Sequence, residues 1–339
     1  MKHKNLFYQY KSKNMNFHSI KLIFIIFVFV LTTAAQEKTH EETEVTFKNG
    51  EINLAATLLI PKGGGTFPAV VIIHGSGNST RENAWTAAYA TALVKRGVAV
   101  LYPDKRGSGK STGNWRTATF LDLADDAIAG VDFLQNNPKI DKSNIGVIGF
   151  SQGGHIVPAA AARSAKIAFA IDVSGSTVPM MEQIMDEVEK MAEREGLNNS
   201  QIETVNDINR KAIYYALTGK GEKDYLDALE KAKNSELKGK KVIEGFPTDP
   251  NHPAVSFIRA VGDFDPIPFW KKLSVPMLFV YGEQDSQIRI NKSINRIEET
   301  LGKSDYNYTV LLFHKNGHGI FREDLLDFMA RWIKDKGVS

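Results

Sequence analysis

Ser151 stands in Gly149-Phe150-Ser151-Gln152-Gly153, a G-x-S-x-G motif with a further glycine at Gly154. A serine flanked this way suits a sharp turn from strand to helix. The turn lifts the hydroxyl clear of a sheet, and its crowded backbone tolerates little beyond hydrogen at the flanks. A helix beginning there adds a dipole end favourable to negative charge. His318 lies in Asn316-Gly317-His318-Gly319, directly after the β-prone run Thr309–Phe313. Glycines on both sides permit the exposed loop that a general base needs. His314 competes from four residues earlier but closes the strand, and H-x-x-x-H without a following Glu is a poor zinc site. Asp285, in Gly282-Glu283-Gln284-Asp285 after the apolar run Met277–Tyr281, is the carboxylate suited to orient a histidine and stabilise its cation. Glu283 is its near rival, and Asp263 and Asp265 are more distant ones. Nucleophile, base and acid in this arrangement point to acyl transfer through a covalent intermediate.

Such side chains meet only if strands and helices deliver them to one edge. Short β-prone runs, Val45–Phe47 and Ile52–Leu59, flank Asn49-Gly50, a strong hairpin signal. The unbroken apolar run Ala69-Val70-Val71-Ile72-Ile73 predicts a strand buried on both faces of a parallel sheet. From there the pattern alternates. Helices are predicted near 82–96, after a Thr119/Asp122 capping box, and over 156–163; strands are predicted over 98–102, 145–148 and 167–173. This order implies a mostly parallel sheet, opened by an antiparallel hairpin and covered by helices on both faces.

The alternation breaks near Gly175. Residues 176–275 show helical spacing instead (Met181, Ile184, Met185, Val188; then Ile202, Val205, Ile208) and end in a proline-rich stretch. The strand–helix pattern then resumes. The expected organisation is a core over 36–175 and 276–339, interrupted by a helical cap over 176–275. Within the cap, Met180, Met181, Met185 and Phe257 are candidates to line an apolar acyl pocket, and Glu182 and Asp186 are candidates to hold a substrate's free amine.

The first 35 residues carry five lysines and no acid, followed by the ten-residue apolar run Leu22–Leu31 and small residues up to Ala35. That is the pattern of an export signal over 1–35, cleaved before Gln36, giving a periplasmic or extracellular protein; its long basic region leaves open a translation start at Met15 or an uncleaved helix kept as an anchor. The run is too short to span a bilayer, so no stable membrane anchor is expected. Without this segment the chain has 37 basic and 39 acidic residues, which leaves no bulk signal for nucleic acid. The absence of cysteine excludes disulfides, thiolate metal sites and a cysteine nucleophile.

The order Ser…Asp…His and these motifs resemble the α/β-hydrolase superfamily from Thr43 onward. The hairpin start, the late helical cap and the stretch from Asp263 to Asp285 resemble its exported bacterial esterase and acyl-hydrolase group, with serine aminopeptidase-like proteins nearby. The resemblance implies an α/β-hydrolase fold and cleavage of a small-molecule acyl ester without metal or organic cofactor. It also implies that His74-Gly75-Ser76-Gly77 is an oxyanion loop. That loop would set the Ser76 N–H beside that of Gln152, with His74 orienting the loop. Asp104-Lys105-Arg106-Gly107-Ser108-Gly109-Lys110-Ser111 ends like a phosphate-binding loop but lacks its first glycine. It is similar instead to the D-x-R-G-x-G-x-S loop of these hydrolases, where its role is structural. The peptidase reading remains the alternative, and an acyl-CoA thioesterase is disfavoured by export.

Overall fold

The structure, a computed structural model, describes residues 39–303 and 305–337; the signal expected over 1–35 lies outside them. In chain order the first half comprises β1 (His40–Asn49), β2 (Ile52–Pro61), β3 (Phe67–Ile73), α1 (Ala84–Lys95), β4 (Ala99–Pro103), α2 (Phe120–Gln135), β5 (Ile140–Phe150), α3 (Gly153–Arg163) and β6 (Ala170–Val173). Helices follow: α4 (Met180–Arg194), α5 (Asn199–Thr218), α6 (Glu222–Lys233), α7 (Lys241–Glu244), α8 (Pro253–Val261) and α9 (Ile267–Trp270). The chain then adds β7 (Met277–Gly282), α10 (Ile290–Leu301), β8 (Tyr308–Phe313) and α11 (Glu323–Lys334).

All eight strands join one sheet in the order β1-β2-β4-β3-β5-β6-β7-β8. The β1–β2 hairpin and the β2–β4 pair are antiparallel, and every other pair is parallel. Gly50 takes the left-handed position that closes the hairpin, with φ 54°. Strand alternation explains the apolar runs. Val71, Ile73, Phe279 and Tyr281 enter one core with α2 and α3, while Val70, Ile72, Leu278 and Val280 enter the other with α1 and α11. A sheet covered on both faces therefore needs apolar residues at every position of its central strands. The helices between β6 and β7 carry a core of their own, including Ala192, Val205, Tyr225, Leu229 and Ile243.

Several boundaries differ from the sequence expectation, with β5 beginning at Ile140 and β6 at Ala170 among them, and two show the reason plainly. Strand β1 begins at His40 rather than near Val45, because an edge strand exposes one side and tolerates His40-Glu41-Glu42-Thr43-Glu44. Helix α3 begins at Gly153, where glycine and the internal Pro158 weaken any helical signal.

Candidate active site

Strand β5 ends at Phe150, and Ser151 occupies the turn into α3 with φ 53°, a left-handed conformation rare for any residue but glycine. The turn is locked from several sides. The Ser151 N–H donates to the Val173 carbonyl at 2.9 Å, and the Gly154 N–H to the Ser151 carbonyl at 2.8 Å. The flanking glycines are sterically required: a Cβ at Gly153 would lie 2.4 Å from the Ile73 carbonyl oxygen, and one at Gly149 2.4 Å from that of Gly153.

Two post-strand loops complete the group. His318, after β8, approaches the Ser151 Oγ through Nε2 at 2.9 Å and the Asp285 Oδ2 through Nδ1 at 2.7 Å. Asp285, after β7, has a fully buried side chain. Its other oxygen, Oδ1, accepts the N–H groups of Gln287 and Ile288 at 2.7 and 3.0 Å, so its orientation is fixed on both sides. The loops also bind one another: the Gln284 N–H donates to the Asn316 carbonyl at 2.8 Å. A Cβ at Gly282 would strike the Asn316 and Gly317 oxygens at 2.4 Å. From β6, the Ser174 hydroxyl donates to the His318 carbonyl at 2.7 Å, and the Trp85 ring lies 5.7 Å from the imidazole.

The structure thus brings together Ser151, His318 and Asp285 and leaves their rivals elsewhere. His314 pairs with Glu283 on the surface. Asp265 pairs with Arg296 at 2.7 Å.

The His74–Gly77 segment lies against the serine. A Cβ at Gly75 would sit 3.4 Å from the Ser151 Cβ. Among the described residues, neither the Ser76 nor the Gln152 backbone N–H donates a hydrogen bond within the chain. His74 is buried, its Nε2 2.7 Å from the Pro103 carbonyl, and burial pushes its pKa down to about 4. Lys105, from the D-x-R-G-type loop whose expected role is structural, reaches this segment. Its Nζ donates to the carbonyls of Gly75 (2.5 Å) and Gly77 (3.3 Å) and to the Gln152 Oε1 (3.3 Å), and burial pushes its pKa down to about 7. It lies in the loop directly after β4, whose parallel pairing with β3 brings it to the same sheet edge as the His74–Gly77 segment.

Helix α4 closes over the acid loop. The Lys190 Nζ donates to the carbonyls of Asp285 and Ile288 at 2.9 and 3.1 Å, and Arg194 to that of Ser286. Glu182 and Asp186 are engaged with Lys292 at 3.0 and 2.6 Å, so neither is a free amine receptor. Glu187, one turn before Lys190 on the same face, is open to solvent yet surrounded by protein. This partial desolvation raises its pKa against the opposing pull of His318 and Arg194. The methionines do not form one lining: Met180 is buried, Met181 is exposed, and the Met185 sulfur accepts from Asn209 at 3.3 Å.

Beneath the turn lies Asp172, fully buried on β6. Neither carboxyl oxygen has a hydrogen-bond partner of good geometry. Burial pushes its pKa up to about 8 against the pull of the Gly175 N–H.

The sequence matches the family model of the X-Pro dipeptidyl-peptidases (S15 family) over residues 49–319. The chain belongs to that family. This S15-family chain is 26% identical over 310 residues to Esterase EstD of Thermotoga maritima; the match covers 89% of the chain but spans 66% of the length of that relative. Its fold resembles that of Est1E from Butyrivibrio proteoclasticus (TM-score 0.55, 22% identity, 86% of this chain and 96% of that one). It also resembles the acylaminoacyl peptidase of Pyrococcus horikoshii (TM-score 0.55, 18% identity, 89% of this chain and 42% of that one). The S15-family chain therefore has the α/β-hydrolase fold.

Proposed function

We propose that the chain hydrolyses carboxylic esters of small molecules through a Ser151–His318–Asp285 triad. The observation that carries this reading is His318, hydrogen-bonded at once to the Ser151 Oγ at 2.9 Å and to Asp285 at 2.7 Å. In the first step His318 takes the Ser151 proton while Oγ bonds to the ester carbonyl carbon. The oxyanion so formed accepts from the Ser76 and Gln152 N–H groups, and such preorganised donors are each worth roughly 3 kcal/mol of barrier. Collapse breaks the bond to the alkoxy oxygen, which leaves with the proton from His318. Water then attacks the acyl-enzyme with His318 again as base, releasing the acid and restoring the serine. Every proton in this cycle is carried by His318, so no step calls for a metal or organic cofactor.

The likeness to EstD supports ester cleavage. The test is hydrolysis of p-nitrophenyl esters from acetate to decanoate beside a panel of aminoacyl-p-nitroanilides, with Ser151→Ala as control. Ester turnover lost in that variant supports the proposal. Ester turnover unchanged in it contradicts the serine assignment.

A second reading, an aminopeptidase-type or acyl-peptidase activity, is favoured by one observation. Glu187 is a solvent-open carboxylate within electrostatic reach of His318, suited to hold a substrate ammonium near the scissile bond. Anilide turnover exceeding ester turnover, and lost in Glu187→Gln, would promote it over the first.

A further inference from the structure

We propose that Lys105 is the positioning residue of the oxyanion hole, a single ammonium that sets the direction of the Ser76 peptide N–H and ties that loop to Gln152, the residue that carries the second donor. This deepens the ester-hydrolase reading above and rests on it. The three acceptor oxygens around Nζ favour the ammonium form against the downward pull of burial, and a protonated lysine has three N–H donors and no acceptor. Three oxygens surround this one: Gly75 O at 2.5 Å, Gly77 O at 3.3 Å and Gln152 Oε1 at 3.3 Å. The residue is 7% exposed, which limits competition from water for these bonds.

The directional argument follows from peptide planarity. In a trans peptide the carbonyl and the N–H of the next residue point to opposite sides of one rigid unit. Drawing the Gly75 carbonyl onto Lys105 therefore turns the Ser76 N–H the other way. Gly75 is packed against Ser151, so that N–H is held beside the serine. The second bond holds the carbonyl of Gly77, whose φ of 78° is a glycine conformation. A third bond reaches the side chain of Gln152, whose own backbone N–H is the other donor.

The main chain contributes as well. The Lys105 N–H donates to the Ser79 carbonyl at 3.0 Å, so backbone and side chain of one residue grip both ends of the 75–79 segment. Elsewhere that segment is lightly held, by the Ser79 N–H to Ser108 Oγ and by Ser79 Oγ to the Ser76 carbonyl, each at 3.3 Å. The Trp115 ring, 5.6 Å from Nζ, lies beside the ammonium. A guanidinium is planar and forked, and does not match three oxygens converging on a point charge.

Lys105→Met keeps the length of the stem and removes all three donors. With p-nitrophenyl acetate, kcat is expected to fall about 10- to 100-fold while KM stays within about two-fold, because the lost interaction belongs to the transition state. Active-site titration with a serine-reactive phosphonate supplies the count of folded sites. Lys105→Gln, retaining an amide donor, is expected to fall between the two. An unchanged kcat, or a loss residing wholly in KM, overturns the clamp. Should Lys105→Met fail to fold, Gln152→Ala decides, since it keeps both peptide donors and removes one acceptor. A several-fold fall in kcat at constant KM then supports the clamp, and wild-type kcat overturns it. Ester turnover surviving in Ser151→Ala overturns the underlying reading and the clamp with it. Ser151-dependent turnover combined with wild-type kcat in Lys105→Met overturns the clamp alone.

Discussion

Ser151 keeps its hydroxyl above the sheet by holding a backbone angle, φ 53°, that costs an L-residue with a Cβ about 1 kcal/mol relative to glycine. Two inactive variants isolate that strain. Ser151→Gly and Ser151→Ala both lose the hydroxyl and its bond to His318, but only the alanine keeps the Cβ. Ser151→Gly is expected to be more stable than Ser151→Ala by about 1 kcal/mol in urea unfolding, and the reverse order would contradict a strained turn. Asp172 makes a second residue-scale prediction. In the folded chain its carboxyl holds a proton up to about pH 8, whereas an unfolded aspartate releases it near pH ~4. Across that window the folded state binds the extra proton, so this group's contribution to stability falls as pH rises, and it levels off above the window. Asp172→Asn removes the titration. Its stability relative to wild type should therefore climb from pH 5 to pH 8.5, with the contributions of buried His74 and His155 cancelling in the comparison. A difference independent of pH would count against a protonated Asp172. The serine, histidine and aspartate of the site were legible because each is flanked by glycine or follows an apolar run. Lys105 was not: its chemistry depends on carbonyls near Gly75 and on Gln152, which no local pattern links to it.

Among the elements, the loop carrying Asp285 is shaped by α4 as much as by β7. Lys190 holds the Asp285 and Ile288 carbonyls, and Arg289, from the start of α10, pairs with Glu189 at 2.6 Å and Glu193 at 2.8 Å. Helix α4, bonded to the acid loop, steadies the histidine's partner. Lys190→Met should therefore lower kcat for ester hydrolysis several-fold while leaving the fold intact by circular dichroism; unchanged kcat would show that the loop holds itself. Thr119 gives a contrasting case. Its hydroxyl accepts the Asp122 N–H at 3.1 Å and the Asp122 carboxylate accepts the Thr119 N–H at 2.8 Å, the reciprocal bonds expected from the sequence. Thr119→Ala is expected to cost about 1 kcal/mol of stability with kcat unaffected. Caps and central strands were readable because their signals lie within a few residues. The reach of β1 into polar sequence and the start of α3 at a glycine pair were not, since edge exposure and tertiary packing override local propensity there.

At the scale of the whole molecule, one sheet edge gathers loops from β3, β4, β5, β7 and β8, while α4, from the segment between β6 and β7, is bonded to the loop after β7. Sequence alternation implied this architecture, because a parallel sheet with helices on both faces is the arrangement that buries such apolar runs. The direction of the charges on α4 lay beyond it: Glu182 and Asp186 turn to Lys292, whereas Glu187 lies within electrostatic reach of the histidine. Export belongs to this scale too. The mature chain is expected outside the cytoplasm with Gln36 at its N-terminus, read by N-terminal sequencing of the fractionated protein; a full-length cytoplasmic chain would contradict it. The central claim is that Ser151 forms the covalent intermediate. It is tested most directly by reacting the protein with a serine-reactive phosphonate and locating the adduct by peptide mass spectrometry. The account predicts a single adduct on the peptide containing Ser151, formed in step with loss of ester turnover. An adduct on another residue, or complete loss of turnover without one at Ser151, would contradict it.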